Sequence, residues 1–353
     1  MITSTKYTNV YPQYRKSNLK ISASVSPQIK FKGLDGSESP AMFVFDLDGT
    51  LATATPKQLN QIFAKAKNCS ADIVYATGRT KKEVVKLQKE LLDKGVVLPN
   101  PKHLITNNGQ YLYDNIDGQM VESLSYQNMI QAKSHYNRDV VTQTMHEIAH
   151  SDKYKYSDEE LESIPNLQEV KASDPDFYNS KISYYEWNPS PNMSEYFIAH
   201  DVDNDELKDE IVGTLSEKNI NVKFRDNLYS KKIMDACSDR PEILLQSNNL
   251  RRHPNGEMTA LFLCAGDKSD GIEFLKNQKG VLYKDILMAG NEDNDIPMAN
   301  LSEKGAKFIC LKDASIRLID HCAKIKDNIF LSIQNGADAI VSGIKHFTKK
   351  SNT

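Results

Sequence analysis

Cysteine is scarce in this chain of 353 residues. The five, Cys69, Cys237, Cys264, Cys310 and Cys322, are odd in number and form no CxxC pair. That argues against a disulfide framework or a zinc ribbon and points to a reducing compartment, so a cytoplasmic location is expected. Long apolar runs are also missing; none approaches the roughly 20 residues that span a bilayer, so no membrane association is expected. Charge of one sign is missing too. The formal net charge is only -3, and Lys and Arg are scattered rather than striped, which gives no footing for nucleic acid. The first 40 residues carry Lys6, Arg15, Lys16, Lys20, Lys30 and Lys32 without the hydrophobic centre of a secretory leader. Residues 1–40 are expected to be a disordered extension. No internal repeat is present.

What is there is ordinary material for a soluble fold. Apolar residues make up 39% of the chain, and its length calls for two structural units. Order begins at Met42-Phe43-Val44-Phe45, an apolar run typical of a strand buried on both faces. A helix is expected over Lys57 to Lys67, a strand over Asp72 to Ala76, and a helix over Lys81 to Leu92 whose stripe is Val84, Val85, Leu87, Leu91 and Leu92. A strand over Leu104 to Thr106 completes a β–α–β–α–β rhythm, the mark of a doubly wound α/β fold on a parallel sheet. The pattern breaks between about 118 and 257, where strands Ile182 to Trp187, Glu195 to Ala199 and Asn221 to Phe224, a helix Asp205 to Lys218 and a loop Ser247 to Glu257 suggest an α+β insert. The rhythm returns near Leu261, with a helix Asp270 to Lys276, strands Asp285 to Ala289 and Lys307 to Leu311, and an apolar run Ala337 to Val341. The expected division is a discontinuous core, 41–117 and 258–350, around an inserted cap, 118–257.

Four polar clusters fall where strands of this pattern end, the place where open parallel sheets bind ligands. Asp46-Leu47-Asp48-Gly49-Thr50 follows the first strand. A carboxylate on a rigid strand end suits nucleophilic attack on phosphorus, and a second carboxylate two residues on can move the proton. Thr77-Gly78-Arg79 offers a hydroxyl and free N–H groups to phosphate oxygens, although Thr77 could equally be a helix cap. Lys268 supplies a fixed cation before a helix. Gly290-Asn291-Glu292-Asp293-Asn294-Asp295 offers oxygen ligands suited to magnesium and lacks the twelve-residue spacing of a calcium loop.

These clusters, in this order, resemble the haloacid dehalogenase (HAD) superfamily of phosphatases. The short interval from Asp46 to Thr77 leaves no room for a cap, whereas the interval from Thr77 to Lys268 does, as in the branch capped between its second and third motifs. Ser180-Lys181-Ile182-Ser183-Tyr184-Tyr185 and the tail Ala337 to Phe347 look like the sucrose-phosphate phosphatase group. The resemblance implies Asp46 as nucleophile, Asp48 as general acid/base, and Thr77 and Lys268 as phosphate ligands. It implies magnesium held by Asp46, the Asp48 carbonyl, Asn291 and Asp295, and a small phosphorylated metabolite, a sugar phosphate, as partner. Thr50, Gly78, Asn107, Asn108, Lys181 and Asn294 are the expected substrate-side residues. Two positions depart from the group's pattern: Asn291 replaces the usual Asp, and Ser269 replaces the usual Gly after the lysine. The alternatives are a catalytically weak phosphometabolite-binding protein, favoured by Asn291, and a phosphotransferase or mutase, disfavoured by the cap position.

Overall fold

The computed structural model describes residues 40–164, 167–184, 191–199, 202–230 and 257–348. The expected extension 1–40, apart from its last residue, and nearly all of the expected loop Ser247 to Glu257 lie outside them. Two sheets organise the described residues. The larger is built from β1 (Met42–Phe45), β2 (Asp72–Ala76), β3 (His103–Thr106), β4 (Tyr111–Ile116), β5 (Gln119–Glu122), and later strands β10 (Ile286–Gly290), β11 (Lys307–Cys310) and β12 (Ile329–Leu331). Between them in the chain come β6 (Ile182–Tyr184), β7 (Met193–Ala199), β8 (Lys223–Ser230) and β9 (Glu257–Cys264) of the smaller sheet. The larger order is β12-β11-β10-β1-β2-β3-β4-β5, parallel from β12 to β3 and closed by an antiparallel hairpin. The smaller order is β6-β7-β9-β8, antiparallel throughout.

The strand order reverses direction between β1 and β10, which makes that pair the topological switch point. Alternation along β1 explains why helices cover both faces. Phe43 and Phe45 point into one apolar cluster with Leu59, Ile62, Leu87 and Ile340; Met42 and Val44 point into the other with Ile272, Met288 and Leu318. The helices Pro56–Asn68, Lys81–Asp93 and Gly336–Thr348 therefore lie on one side. Of the expected stripe on Lys81–Asp93, only Val84, Leu87 and Leu91 are buried; Val85 and Leu92 are exposed, since they fall one residue off the i, i+3, i+7 line.

The second apolar cluster is continuous from the larger sheet into the smaller unit. It runs from Val44 and Met288 through Tyr126, Ile130 and Tyr136 to Leu207, Ile211, Leu261 and Leu263. β5 extends the larger sheet, and β9, whose apolar run reads like a buried core strand, is an inner strand of the smaller one. Among the described residues no helix is long and apolar enough to cross a membrane. Cys69, Cys264, Cys310 and Cys322 are buried.

Candidate active site

Asp46 follows β1 directly, and its backbone N–H donates to Ala289 O of β10 at 3.0 Å, so the carboxylate stands at the switch point. Lys268 opens the helix Lys268–Lys279 and reaches it with its entire side chain buried. The ammonium donates to Asp46 Oδ1 at 2.8 Å and to Asp295 Oδ1 at 2.6 Å. Asp295 Oδ2 in turn accepts the backbone N–H groups of Asn291 (2.9 Å) and Glu292 (3.1 Å), which fixes the loop after β10. The triad contains one cation and two carboxylates, all buried. Burial pushes the Asp46 carboxyl up to about 7; Lys268 opposes this and Asp295 adds to it. Burial also works against the Lys268 charge, but Asp295 and Asp46 outweigh it and hold the ammonium above its ordinary value.

Asp46 Oδ2 is buried and, among the described residues, accepts no hydrogen bond. An orphaned carboxylate oxygen in a net-negative site fits a need for a cation. Asn291 lies against the loop that follows Asp46, its Oδ1 accepting from Thr50 Oγ1 at 2.7 Å. Gly49 makes this approach possible: its φ is +67°, and a Cβ there would stand 2.3 Å from Asn291 Nδ2. Among the described residues no group of three or more His, Cys, Asp or Glu side chains is arranged to hold a metal ion. The donor set is therefore lean: one free carboxylate oxygen, an amide oxygen and loop carbonyls. That set suits magnesium, which keeps several waters and takes one or two protein carboxylates, but with less charge than an aspartate at 291 would give.

The loop's register is resolved by its neighbours. Asp293 accepts from Ser315 Oγ and Arg317 Nη1, and Glu292 is exposed, its side chain turned back to the Asp295 N–H. Asn291 is the residue that faces Asp46's loop. Ser269 is accommodated without strain, because it occupies an ordinary helical position and donates to Asp267, the cap of that helix.

Asp48 is half-exposed and held by Arg79, whose Nε and Nη2 reach its two oxygens at 2.7 to 3.0 Å. Sequence alone gives Arg79 no role; its place directly after Thr77-Gly78 is the signal for one. Thr77 is buried, and its Oγ1 accepts the Arg79 N–H at 3.1 Å, so it fixes the turn that aims Arg79. Asn107 and Asn108 both have positive φ, 49° and 56°, a conformation asparagine tolerates better than most residues. Asn108 bridges two motifs: its amide lies against Gly78, and its Oδ1 accepts from Asn294 Nδ2 at 2.8 Å. Among the described residues Asn294 Oδ1 is buried without a hydrogen-bond partner.

Asp46, Asp48, Thr50, Thr77, Gly78, Asn107, Asn108, Lys268, Asn291, Asn294 and Asp295 thus converge at the carboxyl ends of β1, β2, β3 and β10. Lys181 does not join them. It lies in the smaller unit, with its ammonium 3.0 Å from Glu160 and over the Tyr156 ring. The spacing of a short motif in the insert gave no information on how the insert would be turned.

A family model for sucrose-6F-phosphate phosphohydrolase matches residues 39–160 and 261–348, which include every one of these converging residues. The chain belongs to the sucrose-6F-phosphate phosphohydrolase family. Among solved structures, the sucrose-phosphatase of Synechocystis sp. PCC6803, in complex with sucrose and phosphate, matches with a TM-score of 0.55 at 16% identity, over 88% of this chain and 98% of that one. A HAD-superfamily phosphatase of Bacteroides thetaiotaomicron matches with a TM-score of 0.48 at 15% identity, over 92% and 99% of the two chains. At 16% identity the likeness to the Synechocystis structure establishes the fold alone. A comparison with curated proteins gives no match.

Proposed function

We propose that this member of the family is a magnesium-dependent phosphomonoester hydrolase that forms an aspartyl phosphate on Asp46, with a small sugar phosphate as substrate. The observation that carries the reading is the buried Asp46–Lys268–Asp295 triad, which leaves one nucleophilic oxygen unpartnered at the switch point. In the first step Asp46 attacks phosphorus and the ester P–O bond breaks, while Asp48 gives a proton to the departing alcohol. In the second, water attacks the same phosphorus, its proton passes to Asp48, and the bond to Asp46 breaks to release inorganic phosphate. Lys268 stays charged throughout and offsets charge on the phosphoryl oxygens. Thr77 would offer its hydroxyl proton to the phosphate while its Oγ1 accepts the Arg79 N–H, and Arg79 sets the direction of the Asp48 carboxylate. Magnesium, with Asp46, the Asp48 carbonyl and Asn291 as its protein ligands, would supply charge neutralisation between nucleophile and phosphate. The smaller sheet would read the rest of the substrate.

Asn291 gives a second reading some footing: a protein that binds a phosphometabolite and turns it over slowly or not at all. One experiment separates the two. Phosphate release is measured from a panel of sugar phosphates, with and without magnesium, for the wild type and Asp46→Asn. Magnesium-dependent release that vanishes in the variant supports hydrolysis; substrate binding without release supports the second reading.

A further inference from the structure

A cluster of four charges, outside the residues assigned above, ties the smaller unit to the loop that carries Lys268. Asp270 is buried in the first turn of the helix Lys268–Lys279. Its Oδ1 accepts from Lys133 Nζ at 2.6 Å, and its Oδ2 accepts from Lys223 Nζ at 2.7 Å and from the Asp267 N–H at 2.9 Å. The same Lys223 ammonium donates to Asp267 Oδ2 at 2.7 Å. Asp267 faces two ways, for its Oδ1 caps the helix by accepting the Ser269 and Asp270 N–H groups at 2.8 and 3.3 Å. Lys268 lies between the two acids in the chain.

The cations come from the other unit. Lys133 is on the helix Leu124–Ser134, and Lys223 begins β8. The next residue, Phe224, packs against the apolar cluster, so the alternation of the strand directs Lys223 to the opposite face. The core grips the same loop from behind. A Cβ at Gly109 would lie 2.0 Å from Asp267 O, and Gln110 Nε2 donates to Gly266 O at 2.6 Å. The loop before Lys268 is therefore clamped between Gly109 and Gln110 of the core and Lys223 of the smaller sheet.

We propose that Lys223 is a positioning residue for the phosphate site: by binding Asp267 and Asp270 it holds the helix start that presents Lys268 to Asp46 and Asp295, so that seating of the smaller sheet and alignment of Lys268 are one event. The proposal rests on the reading of this site as a phosphoryl-transfer centre. An ammonium displaced by a fraction of its hydrogen-bond length no longer meets both carboxylates, and a misplacement of about 1 Å can cost roughly a hundred-fold in rate.

The test compares the full-length wild type, Lys223→Met, Lys223→Arg and Lys133→Met. Three quantities are measured: kcat and KM on p-nitrophenyl phosphate, which has no sugar for the smaller sheet to read; inorganic phosphate affinity by calorimetry; and amide hydrogen exchange over residues 266–271. Lys223→Met should lose roughly ten- to a hundred-fold in kcat, bind phosphate more weakly, and exchange faster at Ser269 and Asp270. Lys223→Arg should keep most of the activity. Lys133→Met, which leaves Asp267 paired, should keep kcat close to that of the wild type. An unchanged kcat in Lys223→Met, a loss confined to KM, or an equal loss in Lys133→Met would overturn the proposal. Should Lys223→Met not fold, Asp267→Asn keeps a capping oxygen and breaks the Lys223–Asp267 pair while leaving Lys223 on Asp270, so a smaller loss of kcat with faster exchange at Ser269 is expected, and an unchanged kcat overturns the proposal. A wild type that releases no phosphate sinks the phosphatase reading, while phosphate affinity and exchange at Ser269 and Asp270 still decide the role of Lys223.

Discussion

Replacing Lys268 by methionine removes a buried ammonium and keeps the volume of its side chain nearly intact. Two carboxylates then face each other without a cation, since Lys268 Nζ is the group that joins Asp46 Oδ1 and Asp295 Oδ1 at 2.8 and 2.6 Å. Each charge-assisted hydrogen bond is worth about 1.5–3 kcal/mol, and breaking a buried ion pair by deleting one partner costs about 3–5 kcal/mol. The lower end applies, because Asp46, already pushed up to about 7 by burial, takes a proton at little cost near neutrality. The expected loss is therefore about 3 kcal/mol in urea unfolding at pH 7, with the slope of the transition unchanged, together with loss of phosphate release. Adding Asp295→Asn to Lys268→Met should recover part of that stability, since one of the stranded charges is gone. A loss below about 1 kcal/mol in the single variant, or a further full loss in the double, would refute the view that the triad is held by mutual neutralisation.

Three further outcomes follow from the same geometry. Asn291→Asp should lower the magnesium concentration for half-maximal phosphate release by roughly ten-fold or more, since an added charge beside a divalent ion is worth kcal/mol even at high effective dielectric; a rise in the magnesium requirement would place Asn291 away from the ion. Gly49→Ala, with φ at +67° and Asn291 Nδ2 in the way, should cost about 1–3 kcal/mol in thermal or urea unfolding and abolish activity. Burial, with Lys279 nearby, holds the His103 imidazole below its ordinary 6.5, although Asp114 and Asp72 pull the other way. The unfolded chain then binds that proton more tightly than the fold, so the stability His103 confers is full above pH 6.5 and lost as the pH falls below it; His103→Gln should flatten the stability profile on the acid side.

Much of the catalytic side was legible because parallel strands buried on both faces leave apolar runs that stop abruptly. Phe45 gives way to Asp46, Ala76 to Thr77, and Thr106 to Asn107, and each break marks a strand end at the site. The register of the 290–295 loop was not legible, since Asn291, Glu292 and Asp293 differ only in what surrounds them: Thr50, solvent, and Ser315 with Arg317. In the helix Leu124–Ser134 polar and apolar residues are mixed, and the packing of Tyr126 and Ile130 supplies the order that local pattern does not, whereas in Arg138–Ala149 Val141, Met145 and Ile148 do keep helical spacing. The apolar run of β9 does not say which sheet it joins, because an inner strand of an antiparallel sheet, covered on both sides, is as apolar as a parallel one. Lys223 could not be found at all, for its partners lie more than forty positions away and have no motif in common with it.

The apolar cluster that runs unbroken from Val44 and Met288 to Leu207 and Leu263 has a mechanical consequence. A lid on a free hinge can swing wide because little apolar surface is parted when it does. Here a wide swing would split a buried apolar interior at Tyr126, Ile130 and Tyr136, at about 25 cal/mol for each Å² of apolar surface brought into water. Admission of substrate should therefore proceed by a shallow slide of the smaller sheet over the larger unit, with the interior kept shut. For the same reason a core cut free of residues 124–264 would present that interior to solvent, and the two units are expected to unfold in one transition rather than two.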